Sequence, residues 1–179
     1  MLNRYLVFVL ICCCVFTACT TPKLYRSNRY STTVISEETR NKLKSYLQKH
    51  EVSTLKDTII IKYNFNGDHC WGVMDADQQK LESVLSAYQA HHKMVALKRT
   101  NVSIFEFRAK GKNQNKYKLN NSDILVDEGD ISALLFKKPT TCGSSIVILP
   151  TGKCLIVKSD SHFEALNLNS KMIDSLVAN

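Results

Sequence analysis

Ser145-Ile146-Val147-Ile148-Leu149, Pro150-Thr151-Gly152-Lys153 and Cys154-Leu155-Ile156-Val157-Lys158 decide how this chain folds. Two apolar, β-branched runs separated by four turn-forming residues predict two strands, and so short a connection makes them antiparallel. Upstream the pattern changes to strands alternating with helices. Asp57 to Phe65 (DTIIIKYNF) ends at the turn signal Asn66-Gly67 and reads as a buried strand. Asp75 or Asp77 then caps the longest helix, to about Leu97, with Leu81, Val84, Leu85, Tyr88 and Val95 at helical spacing. Val102 to Phe107 (VSIFEF) is a second strand, followed by a Lys- and Asn-rich loop, a short extended Ile124 to Val126 and a small helix from about Asp130 to Phe136. Ser36-Glu37-Glu38 opens a first helix to about His50, and Ser170 to Val177 closes the chain as another. Strands joined through helices pair in parallel, whereas the hairpin pairs antiparallel, so the expected fold is an α/β mixed sheet flanked by helices.

The composition suits one such domain. The chain has 179 residues, 44% hydrophobic and 22% charged, which is a globular balance. With 6 Gly and 3 Pro it is not linker-rich, and no 20–50-residue period repeats along it.

The N-terminus carries an address. Met1-Leu2-Asn3-Arg4 is followed by the apolar run Tyr5 to Phe16, which is too short for a spanning helix of about 20 residues but fits a signal-peptide core. Phe16-Thr17-Ala18-Cys19 resembles a bacterial lipoprotein box, which implies cleavage after Ala18 and acylation of Cys19. The expected organisation is a signal peptide over 1–18, a basic tether over 19–34 carrying Lys23, Arg26 and Arg29, and a single domain over 35–179. Acylation implies a partner membrane, and the lack of Asp at Thr20 implies, by the same resemblance, the outer membrane facing the periplasm. Of the 7 cysteines, Cys70, Cys142 and Cys154 remain for the folded part.

Net charge is +8, and Lys93 to Lys118 concentrates it: Lys93, Lys98, Arg99, Arg108, Lys110, Lys112, Lys116 and Lys118 stand against Glu106 alone. Without interleaved aromatic residues this does not read as a nucleic-acid surface. It reads as a solvated loop, or as a surface for an acidic partner or lipid headgroups.

The order of elements from residue 57 onward resembles the thioredoxin fold with an added N-terminal helix. The strand Ile59 to Phe65, a following Cys70-Trp71 and a long helix are similar to the strand, cysteine loop and helix of thioredoxin-like thiol reductases, and residues 145–158 are similar to the closing hairpin. Cys70-Trp71-Gly72-Val73 supplies one cysteine where the family has a Cys-x-x-Cys pair, and Thr140-Thr141-Cys142-Gly143-Ser144 has no proline where the family has a cis-proline. The resemblance implies that Cys142 sits in the loop facing Cys70. A cysteine just before a helix has N–H groups and a dipole to stabilise its thiolate, and His69 stands next to it. Three states of these thiols stay open: a reactive Cys70, a structural Cys70–Cys142 disulfide, or inert thiols. Cys154 reads as packing.

Other chemistries find little support. His91-His92 and His69 lack metal-ligand spacing, no glycine-rich phosphate loop occurs, and no metal or cofactor is expected. Ser159-Asp160-Ser161-His162 has the residue types of a hydrolase triad but reads as a turn whose side chains bond the local backbone. Two functions follow. One is an interaction module that holds a protein partner in the cleft around Trp71, Thr141, Gly143 and Ser144. The other is a thiol–disulfide enzyme or sensor with Cys70 as nucleophile and Cys142 as resolving thiol. An immunity or structural envelope protein is a third class.

Overall fold

The hairpin is the turning point of a six-stranded mixed sheet. Residues 29–50, 54–65, 78–110, 124–140 and 142–178 are described in this computed structural model. In chain order the elements are β1 (Tyr30–Val34), α1 (Glu37–Leu47), β2 (Thr58–Asn64), α2 (Gln78–Leu97), β3 (Val102–Ala109), β4 (Leu125–Asp127), α3 (Asp130–Leu135), β5 (Ser144–Ile148), β6 (Lys153–Lys158), a 3-10 turn (Glu164–Asn167) and α4 (Ser170–Ala178). The strands lie in the order β1-β6-β5-β2-β3-β4. β2, β3 and β4 are parallel, while β5 runs antiparallel to both β2 and β6. The inner order β6-β5-β2-β3, with the hairpin reversing direction, is the thioredoxin-like arrangement expected from the order of elements.

Alternation along the strands divides the interior into two layers. On the first face, Ile59, Ile61 and Tyr63 of β2, Phe105 and Phe107 of β3, and Ile146 and Ile148 of β5 pack against Leu43 and Leu47 of α1 and Ile131 and Leu135 of α3. On the second face, Ile60, Val147, Leu155 and Val157 pack against Phe163, Leu166, Leu168 and Ile173, with Tyr88 and Val95 of α2 over them.

Caps fix the ends of the covering elements. The Ser36 hydroxyl accepts from Thr39 N–H at 3.2 Å and starts α1. Asp127, fully buried at the end of β4, accepts from Ile131 N–H and Ser132 N–H, both at 3.0 Å, and from the Tyr63 hydroxyl at 2.8 Å. One carboxylate thus starts α3 and satisfies the only hydroxyl among the β2 side chains of the first face. These bonds hold Asp127 below the ordinary carboxylate range, although its burial opposes them, and burial pushes Tyr63 up to about 12.

Two elements differ from the sequence reading. Tyr30–Val34, read as the end of the tether, is the edge strand β1, paired antiparallel with β6 from Tyr30–Val157 to Val34–Lys153. Its YSTTV pattern carries a strand signal, but none of its residues is fully buried and Thr32, Thr33 and Val34 are exposed, so no buried run marks it. The second is the short 3-10 helix Glu164–Asn167, which the sequence reading did not include after the expected turn at residues 159–162. Asp160, fully buried, accepts from Glu164 N–H at 2.6 Å and Ala165 N–H at 3.3 Å, so the triad-like segment is a capped turn as its spacing suggested. Arg99 is no part of a solvated basic loop: it donates to Leu166 O and Leu168 O at 2.8 and 2.5 Å and pins this turn to the end of α2.

Candidate functional site

The second face of the sheet changes character along the strands. Ile60, Ile104 and Val147 make it apolar at one end, whereas two residues further along stand Lys62, Glu106 and Ser145. Lys62 and Glu106 occupy matching positions on adjacent parallel strands, and Asn64 donates from Nδ2 to Glu106 Oε1 at 3.0 Å. Lys62 is 1% exposed. A charge so deep inside a domain is costly unless it is paired and hydrogen-bonded. Lys62 Nζ donates to Cys142 O at 3.3 Å, and its charge acts on Glu106. Burial nevertheless raises Glu106 above the ordinary carboxyl range, against the lowering effects of Asn64 and Lys62.

Cys142 sits on a strained loop directly above this pair. Cys142 and Gly143 both have left-handed backbone, with φ of 65° and 74°. At Gly143 only glycine fits, because a Cβ would lie 2.5 Å from Tyr63 O and 3.2 Å from Lys62 Nζ. The loop is held from three sides. Thr140 Oγ1 donates to Gly143 O at 2.6 Å and shares a 2.7 Å bond with Ser144 Oγ, and Asp160 N–H donates to Gly143 O at 3.2 Å. Gly143 and Ser144 are buried, and Gly143 O and Ser144 Oγ are bonded by Thr140 and, for Gly143 O, also by Asp160. They therefore shape the backbone that presents Cys142.

Cys142 is disulfide-bonded, whereas Cys154 is free. Cys154 lies in the first-face core with its thiol pushed up to about 11 by burial, which makes it a packing residue. The partner of Cys142 is therefore one of the cysteines outside the described residues. Cys19, His69, Cys70, Trp71 and Thr141 all lie outside the described residues.

Next to the charged pair, α2 contributes Tyr88 and His92, whose rings touch edge to face at 3.7 Å between centroids; His92 also meets Phe163 at 5.1 Å. Burial, with the charges of His91 and Lys62, pushes His92 down to about 4, so the ring is neutral at pH 7. Its Nδ1 is buried without a hydrogen-bond partner. His92 and Glu106 line a cavity of about 170 Å³ with Lys93, Ile104 and Phe163. His91 is exposed, and among the described residues no three His, Cys, Asp or Glu side chains gather as a metal site would need.

Sequence reasoning singled out Cys142, and it missed Lys62, Asn64, Glu106 and His92. The signal was present: Lys62 and Glu106 are charges of opposite sign inside the apolar runs IIIKYNF and VSIFEF, at positions that pair in a parallel register.

No protein-family model matches the chain, and no curated protein matches it. Three solved structures are similar to it. A secreted Mycobacterium tuberculosis disulfide oxidoreductase homologous to E. coli DsbE is 13% identical, with 69% of this chain and 83% of that one covered and a TM-score of 0.35. M. tuberculosis DsbF in mixed oxidised and reduced forms is 15% identical over 68% and 82% of the two chains, with a TM-score of 0.38. A DsbF homologue from Corynebacterium diphtheriae is 14% identical over 67% and 73%, with a TM-score of 0.36. Likenesses this distant carry no functional argument, and the thioredoxin-like character of the sheet follows from its own strand order and pairing.

Proposed function

We propose that this chain is a lipid-anchored thiol–disulfide exchange protein of the cell envelope, in which Cys142 and Cys70 form the exchanging disulfide. The observation that carries the reading is the bridged Cys142, whose backbone carbonyl is held by a buried lysine beside a buried carboxyl. A cation next to a sulfur favours the thiolate and makes it a better leaving group.

In the oxidising direction, a thiolate of a substrate dithiol attacks the Cys70 sulfur. The S–S bond breaks and its electron pair leaves on Cys142, close to Lys62. The second substrate thiol, once deprotonated, attacks the mixed disulfide and releases Cys70 as a thiolate. Two electrons pass from the substrate dithiol to the protein, and the two thiol protons are available to the two released sulfurs. The reverse sequence reduces a substrate disulfide. Acylation at Cys19 would hold the domain at a membrane, and the outer membrane facing the periplasm is the location proposed with it.

Exchange with a fluorescent dithiol peptide tests this. The parent chain should exchange, and Cys70→Ser and Cys142→Ser should each abolish exchange while changing stability little. An exchange-inert parent, with both variants destabilised by about 2–5 kcal/mol, would make the bridge a structural staple and favour an interaction module instead.

A further inference from the structure

The root of the tether and the disulfide loop lie at the same end of the sheet. β1 runs antiparallel to β6, so Tyr30 stands opposite Val157, and Lys158 N–H donates to Arg29 O at 2.8 Å. Ser144 stands opposite Lys158 on one side and Tyr63 on the other. Arg29, the loop before β5 and the end of β2 next to Lys62 therefore share one edge of the sheet. The hairpin turn around Thr151 marks the opposite edge.

Arg29 is fastened at that edge. Its Nη1 pairs with Glu164 Oε2 at 2.9 Å and its Nη2 lies 3.8 Å from Asp160 Oδ1, while the neighbouring Tyr30 hydroxyl donates to the Glu164 carboxylate. Asp160 N–H in turn donates to Gly143 O at 3.2 Å. Two contacts thus join the first described residue to the loop that carries Cys142.

Ten residue steps separate Cys19 from Arg29. Such a segment reaches roughly 35 Å fully extended and about 16–19 Å when relaxed. A domain of about 150 residues is roughly 35–40 Å across. Turning the far edge toward the bilayer would stretch the tether to its limit along the whole domain, whereas presenting the near edge leaves it relaxed.

We propose that the edge carrying Cys142 faces the bilayer, so that its exchange partner is a thiol or disulfide held at the membrane surface. This rests on the lipidation of Cys19 and on the exchange reading above.

The test uses the full lipidated chain in phosphatidylcholine–phosphatidylglycerol vesicles whose headgroups carry an energy-transfer acceptor. A donor dye is placed in the oxidised protein through Lys158→Cys or Thr151→Cys, both exposed positions. Transfer from position 158 should be several-fold stronger than from position 151; equal or reversed transfer would overturn the orientation. A 20-residue Gly-Ser spacer between Arg26 and Ser27 should slow reduction by a headgroup-borne dithiol about five-fold, as effective concentration falls with tether length. Soluble dithiothreitol should reduce both chains at one rate. Equal rates with the headgroup-borne dithiol would overturn the membrane-held partner. Loss of co-flotation with the vesicles would overturn the anchor and this proposal together. Co-flotation with a bridge that no dithiol opens would instead overturn the exchange reading, and the membrane-held partner with it.

Discussion

The two faces of the sheet are made from alternate residues of the same strands, yet they do different work. The first face is mostly apolar, and the polar side chains on it are neutral hydroxyls closed within the fold: Tyr63 bonds Asp127 at the N-terminus of α3, Ser103 Oγ accepts from Lys56 N–H and Ser144 Oγ shares a bond with Thr140. The second face is apolar for half its length and then carries Lys62, Asn64, Glu106 and His92 beneath a strained, disulfide-bonded loop. Burying charge in this way costs stability that an all-apolar face would not. The first face therefore holds the domain together, and the second carries the site proposed for exchange. The two cysteines of the closing segment make the same contrast, Cys154 inert in the first-face core and Cys142 bridged at the edge of the second.

Variants of the first face should lower stability without touching the redox couple. Phe107→Ala removes a fully buried ring and should cost about 3–5 kcal/mol in chemical denaturation, with the potential of the Cys142 disulfide unchanged. A shifted potential would break the separation of the faces. Tyr63→Phe removes a hydrogen bond to a buried carboxylate and should cost about 1.5–3 kcal/mol, again with the potential unchanged.

Variants of the second face should do the reverse. Lys62→Met takes away the cation beside Cys142 and should move the potential more negative by about 30 mV for each tenfold loss of reduced-state stabilisation, as read by redox titration. An unchanged potential would sever the buried pair from the disulfide.

The smallest effect is on acid stability. The folded-state value of His92 lies near 4 against about 6.5 when unfolded, so between these pH values the unfolded chain binds the extra proton. His92 therefore contributes stability above pH 6.5 that is lost as pH falls toward 4. For this half-exposed ring, with solvent screening allowed for, the loss should be about 1 kcal/mol. Denaturation midpoints of His92→Gln should fall less steeply than the parent's over that window.

The fold was legible because its strongest signals are local. β-Branched runs, the four-residue turn and the helical spacing of α2 each depend on residues near in sequence, and together they gave a mixed sheet with the correct hairpin. β1 was not legible, since an edge strand with no fully buried residue lacks the apolar run that marks a strand. The charged half of the second face was hidden for a different reason. Lys62 and Glu106 lie 44 positions apart in the sequence, and only the parallel register of β2 on β3 brings them opposite each other. Cys142 could be picked out by residue type and Lys62 by its place in an apolar run, but the bond that joins them could not.

Whether the Cys142 disulfide is an exchanging couple set over a buried charge pair is decided by its equilibrium potential. Differential alkylation of the full chain across a glutathione redox series, read by mass spectrometry, should show the bridge opening between about −120 and −270 mV, the range of disulfide oxidoreductases. A bridge still closed below about −300 mV would contradict the claim and mark a structural staple.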